Sequence, residues 1–269
     1  QMSRAKLATR PSNNILLREE QDGVTTLTLN RPESGNSLSH ALVDELQGTF
    51  QEIAEDSSIR VVVLTANGKL FCTGHDLKES LNTKLAEDKR AANVSCAAML
   101  QSMLELPQPI IAKVRGIATA AGCELVATCD LAIASDKSQF ATPGVNIGLW
   151  CLSPQVAVSR TVAPKHALQM LLSGKLIDAE TATRFGLINE SVPDAELDER
   201  VREWTCDLAS KSPYTIAMGK ESFYRQIEMS RRDAYNYVNE VMIRAFNSRD
   251  AKEGIASFLE KREPEWKGR

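Results

Sequence analysis

The apolar positions of this chain keep two periods, and their order predicts the layers of the fold. "ILLREE" (15–20) and "VTTLTL" (24–29) are runs of strand length split by Gln21-Asp22-Gly23, a turn signal. "NRPESGNS" then reads as a loop. From His40 to Ala54 the period lengthens, and Val43, Leu46, Phe50 and Ile53 recur at helical spacing. "RVVVLTA" (60–66) is apolar without alternation, as expected of a strand covered on both faces. "NGKLFCTGHD" is expected to be a polar, glycine-bearing loop. Residues 84–105 predict a long helix, and "PIIAKV" (109–114) predicts the next strand. The segment "ATAAGCELVATCD" (118–130) is expected to turn into a short helix at about Gly122. "LAIAS" (131–135) and "QFAT" (139–142) predict two short strands.

Beyond Ser153 helical periods dominate, for example Leu197, Val201, Trp204 and Leu208, then Val238, Val241, Met242, Ala245 and Phe246. Strand–helix alternation followed by a helical third predicts an α/β core with a helical appendage. The expected organisation is a tail over 1–14, a core over 15–192 and a helical region over 193–269, jointed near "NESVPDAE".

Composition narrows the function classes. With 269 residues, 43% of them hydrophobic and 25% charged, the chain can bury a large core without staples. A net charge of −3 gives no basic footprint for nucleic acid. No apolar run approaches the length of a membrane span. The six cysteines form no CxxC pair, and only His40, His75 and His166 could assist them, so no zinc site is expected. They read as reduced thiols of an intracellular protein. The first 18 residues carry Arg4, Lys6, Arg10 and Arg18 and no acid, a composition shared by a solvated tail and by the end of a mitochondrial transit peptide. With Met2 as the native start a cytoplasmic location is expected; the alternative is the mitochondrial matrix.

Candidate chemistry begins at Glu124, a carboxylate inside an apolar segment, where ionisable groups are rare unless paired or used. "KLFCTGHDLKES" and "GIATAAGCELVATCD" each run through a Gly-bearing loop into a helix. Helix starts leave N–H groups unpaired and carry partial positive charge. Two such loops on neighbouring strands can aim two N–H groups at one oxygen, forming an oxyanion hole. The spacing alone is more simply that of two ordinary strand-to-helix turns.

These two segments, with "LNRPESGNSLS", "FATPGVNIGL", "LLSGKLIDAETATRFGLINESVP" and "GIASFLEKREPEW", resemble the crotonase, or enoyl-CoA hydratase/isomerase, family in order and over nearly the whole chain. The resemblance implies a spiral of ββα units with a C-terminal helical region used for trimerisation. It implies an acyl-CoA thioester substrate, held as an enolate, and no cofactor beyond the coenzyme A of the substrate itself. The implied assembly is a homotrimer or a dimer of trimers, with no nucleic-acid or membrane partner. Matched residue by residue, the oxyanion donors are the N–H groups of His75 and Ala121. Thr73, His75, Asp76, Leu77, Lys78 and Ala121 fall where the family contacts its substrate, and Asn67 to Leu70 form the approach. Glu124 matches the first catalytic glutamate of the hydratases. The second should follow the Thr-Pro of the next loop, where this chain has Thr142-Pro143-Gly144.

Glycine at 144 has no proton to give. Hydration needs water at one carbon and a proton at the next, and one general acid or base contributes about 100- to 10,000-fold. A slow hydratase is therefore expected, and a Gly144→Glu variant is expected to regain activity. One-carboxylate isomerisation, thioester hydrolysis or decarboxylation is the alternative lyase-related chemistry. A non-catalytic acyl-CoA-binding protein is the alternative class. Among the other residues, the His75 side chain is expected to face solvent, the alternative being that it reaches the site; His40 and His166 are expected at the surface, Cys123 to fill core, and Asp130 to cap or pair locally. Lys113 and Arg115 face either solvent or phosphates.

Overall fold

The computed structural model describes residues 15–268, so the tail expected over 1–14 lies outside the described residues. Strands β1 (Leu16–Gln21) and β2 (Val24–Leu29) pair antiparallel through a turn in which Asp22 and Gly23 both have positive φ. That backbone suits the twist of a two-residue hairpin. Helix α1 (His40–Glu55) starts where the Ser39 hydroxyl accepts the Leu42 N–H, and it buries Leu42, Val43, Leu46, Phe50 and Ile53.

Three similar chain turns follow. In the first, β3 (Val61–Ala66) leads to β4 (Leu70–Cys72), then to α2 (Leu77–Asn82) and α3 (Ala86–Glu105). In the second, β5 (Ile110–Val114) leads to β6 (Ile117–Thr119) and α4 (Ala121–Thr128). In the third, β7 (Leu131–Ser135) leads to β8 (Gln139–Ala141), a one-turn helix over Pro143–Ile147, and α5 (Pro154–Thr161). The chain continues through α6 (Pro164–Ser173), β9 (Ile177–Asp178), α7 (Ala179–Phe185) and β10 (Glu190–Val192). It ends in α8 (Leu197–Ala209), α9 (Pro213–Gln226), α10 (Arg231–Asn247) and α11 (Arg249–Glu260).

Each turn gives one strand to each of two sheets. The larger has the order β1-β2-β3-β5-β7-β10, and all its pairs after β1-β2 are parallel. The smaller has the order β4-β6-β8-β9. The apolar run of β3 explains the layering. Val62 and Leu64 face the main core with Leu46, Phe50 and Met99; Val61 and Val63 face α8 through Leu197 and Val201. Among the described residues no helix is long and apolar enough to cross a membrane.

The segment expected to be a loop at 67–76 contains β4, and β9 and β10 lie in the stretch beyond Ser153 where helical periods dominate. These strands have two or three residues, too few to show a period of two. β4 nonetheless helps to bring candidate segments together. Because β4, β6 and β8 are neighbours, the segments leaving their ends are neighbours too.

Candidate active site

Three segments converge beyond β4, β6 and β8. The first is held by the loop before α1. The Arg31 guanidinium donates to Ser37 O at 2.6 Å and to Asp76 Oδ2 at 3.1 Å. The Asn36 side-chain amide donates to Asn67 O and Leu70 O, both at 2.8 Å. Leu38 bridges to His75: Leu38 N donates to Gly74 O, and Asp76 N donates to Leu38 O. Both bonds go to the residues flanking His75, so the His75 N–H points away from Leu38.

The second segment approaches from β6. A methyl on Gly122 would lie 2.1 Å from Cys72 O, so only glycine lets the start of α4 lie against β4. Gly74 has φ +105°, and a methyl there would lie 2.9 Å from Ala120 Cβ and 3.3 Å from Ala121 N. The His75 loop and the first N–H of α4 therefore touch. Ala121 is the first residue of α4, where an N–H has no intrahelical acceptor. The backbone cost falls on the residue before it. Ala120 sits at φ 51°, ψ −122°, a region left mostly to glycine, at a cost of order 1–3 kcal/mol.

Glu124 lies in the first turn of α4 and is 2% exposed. Its Oε1 accepts the Ser153 hydroxyl at 2.7 Å, while Oε2 has no hydrogen-bond partner among the described residues. Burial pushes this carboxyl up to about 7, against the opposing hydrogen bond from Ser153. Its electrical neighbours are neutral thiols. Burial raises Cys96 to about 12, Cys123 to about 12, and Cys151 in the same direction.

The third segment surrounds the second-acid position at Gly144. Gly144 N donates to Cys151 Sγ at 3.3 Å. A methyl on Gly144 would lie 3.0 Å from Cys151 N, 3.1 Å from Cys151 Sγ and 3.2 Å from the Trp150 carbonyl carbon. The 150–151 backbone lies close to the place a larger side chain would leave from and would have to give by a few tenths of an ångström.

Other expectations are revised. The His75 ring does not face solvent: it is half-buried, its Nε2 lies 3.3 Å from Cys96 Sγ, and burial lowers its pKa. Both Asp76 oxygens are engaged, Oδ1 by the start of α2 and Oδ2 by Arg31 and Ser37. Lys113 and Arg115 meet Asp198, and Arg115 also meets Asp194. Asp130 pairs at long range with Lys220 and Tyr224 of α9. His166 is half-buried and stacks on Phe185 at 3.9 Å between ring centres. His40 is exposed, Cys123 fills core, and Thr73, Leu77 and Lys78 are exposed beside the His75 loop. Ser153 is the side chain in contact with Glu124 that residue types alone did not single out. Its place before Pro154 reads as a helix cap, yet its side chain makes no cap bond.

A cavity of about 490 Å³ lies elsewhere, at the N-terminal ends of β3 and β5, among Arg60, Gln108, Tyr214 and Trp266. It touches none of the convergent segments.

Two sheets fed by repeated ββα turns, followed by C-terminal helices, define a fold of the crotonase type. The chain belongs to the enoyl-CoA hydratase/isomerase family, whose model matches residues 19–269. Among curated relatives it is similar to enoyl-CoA hydratase domain-containing protein 3, mitochondrial, as its "GHDLKE" and "ATAAGC" wording suggests. It is 41% identical to the Xenopus laevis protein over 249 residues, 92% of this chain and 84% of the other. To the Homo sapiens protein it is 40% identical over 91% of this chain and 81% of the other. Among solved structures it is similar to an enoyl-CoA hydratase of Mycobacterium smegmatis, with 44% identity, TM-score 0.91, and 94% and 98% of the two chains covered. For the human domain-containing protein 3 the values are 40%, 0.90, 94% and 100%.

Proposed function

We propose that this protein binds an acyl-CoA thioester with its carbonyl oxygen on the His75 and Ala121 N–H groups, and that Glu124 acts as its single catalytic carboxylate. One observation carries the reading. The helix whose first N–H is Ala121 also carries a buried glutamate with one oxygen tied, the other free, and a pKa of about 7. A base works best when its pKa lies near the working pH. The free oxygen takes a proton from the carbon next to the thioester, the negative charge moves to the thioester oxygen, and the two N–H groups hold it there. The same carboxyl can return the proton, so exchange or isomerisation needs no second acid and no resident cofactor. Leu77 and Leu81, exposed on α2 just after His75, offer apolar surface to the acyl portion, and Lys78 offers positive charge to coenzyme A. Exposed Phe223, Ile227, Met242, Ile243 and Phe246 on the C-terminal helices support a homotrimer, alone or doubled.

A non-catalytic binding protein would bury an idle carboxylate at a cost to stability, which favours the enzyme. The test is hydration of crotonyl-CoA, followed by loss of the conjugated thioester absorbance. Lacking one proton-transfer group, the wild type is expected to turn over at or below ~0.1 s⁻¹, roughly 100-fold under an ordinary kcat of about 10 s⁻¹. Ordinary turnover would sink the reading that a single carboxylate serves this site. Contrary to what the sequence alone suggests, Gly144→Glu is not expected to restore hydration. The new Cβ would press on the Cys151 backbone at 3.0 Å, and 150–151 would have to move first. A gain of 100-fold or more would show that this segment yields.

A further inference from the structure

The Glu124 carboxylate is held from one side only. Its nearest polar support is Ser153, which comes from the loop entering α5 rather than from the strands and turns that build the N–H pair. Serine at a helix start ordinarily accepts an N–H from the first turn. Ser153 does not; it takes φ −69°, ψ −49°, and its hydroxyl donates to Glu124 Oε1 at 2.7 Å instead. A cap contact has been given up, and the hydroxyl is spent on a buried carboxylate whose other oxygen is bare. We propose that Ser153 is a positioning residue: its hydroxyl ties Oε1 of Glu124 and thereby presents Oε2 as the oxygen that moves the substrate proton. The inference rests on the reading of Glu124 as the base.

The groups facing Glu124 leave Ser153 without a rival. On its own helix there is Cys123; from α3, Cys96, with the His75 ring beyond it; from the loop before α5, Cys151. Burial keeps these thiols protonated and the imidazole neutral around pH 7. Burial and Ser153 are the influences acting on Glu124, and Ser153 alone favours the charged form. Removing the hydroxyl therefore moves the carboxyl further up. It also frees Oε1 to rotate toward the substrate, so the active oxygen is no longer specified.

The experiment compares wild type, Ser153→Ala and Ser153→Thr by proton exchange next to the thioester of butanoyl-CoA in D2O. In parallel, the Glu124 carboxyl is titrated by carbon NMR. For Ser153→Ala the exchange midpoint is expected to rise by about one to two pH units, the scale of a hydrogen bond to a charged group. The rate at pH 7 should fall about 10-fold or more, with KM changed less than about 2-fold. Ser153→Thr, which keeps the hydroxyl, should restore the midpoint. A Ser153→Ala protein that exchanges with the wild-type midpoint, or whose Glu124 carboxyl titrates where it did before, overturns the proposal. If wild type exchanges nothing, the assignment of Glu124 as base fails, and the NMR titration still decides whether Ser153 ties it.

Discussion

Glu124→Gln is expected to lower proton exchange next to an acyl-CoA thioester by about 100- to 10,000-fold. Glutamine keeps the shape and can still accept from Ser153 through its carbonyl, so the site should stay assembled. Acyl-CoA binding, read by calorimetry, should change only a few-fold, because the His75 and Ala121 N–H groups are backbone. The same variant should raise stability at alkaline pH. The folded carboxyl titrates near 7, above its ordinary value of 4.5, so the folded state holds the proton more tightly than the unfolded chain. Stability from that group is full below about 4.5 and is lost as pH rises through 7. Glutamine carries no such loss, so its melting temperature should fall less than the wild type's between pH 5 and 8. Thermal melts at the two pH values check this independently of activity.

The largest stability effect is expected at Asp130. Its Oδ2 accepts Ile110 N at 2.7 Å and Lys220 Nζ at 2.8 Å, and its Oδ1 accepts the Tyr224 hydroxyl at 2.8 Å. Lys220 also donates to Met103 O and Gln108 O, and its side chain is 7% exposed. Asp130→Ala leaves a buried ammonium without its counter-charge and strands two further donors. Breaking a buried pair in this way costs about 3–5 kcal/mol. The melting temperature should fall by roughly 6–20 °C. Because Lys220 and Tyr224 belong to α9, amide exchange in α9 should rise more than in α1. A loss under about 1 kcal/mol would mean that α9 is held by its apolar contacts alone.

How far the sequence could be read depends on element length and on contact range. α1 and β3 were legible because burial on one face or two leaves a period. β4, β6, β9 and β10 are too short to leave one, although β4 and β6 bring the His75 loop and the start of α4 together. Glu124, His75 and Ala121 became candidates through the family resemblance, by their offsets from Gly-bearing turns, and Gly144 by the Thr142-Pro143 before it. What was not legible came from residues distant in sequence. Ser153 reaches Glu124 across 29 positions and Lys220 reaches Asp130 across 90. The tightness at Gly144 comes from Cys151, whose thiol announces nothing about where its backbone lies. Ala120 is the remaining surprise, an alanine at positive φ where glycine would sit without strain.

The most direct test of a single working carboxylate is the pH dependence of wild-type exchange with butanoyl-CoA in D2O, followed by proton NMR. The rate should rise through a single step centred near pH 7, where the Glu124 carboxyl loses its proton, and stay flat above it. An exchange rate that does not change between pH 5.5 and 8.5, or no exchange at any pH, would contradict the account.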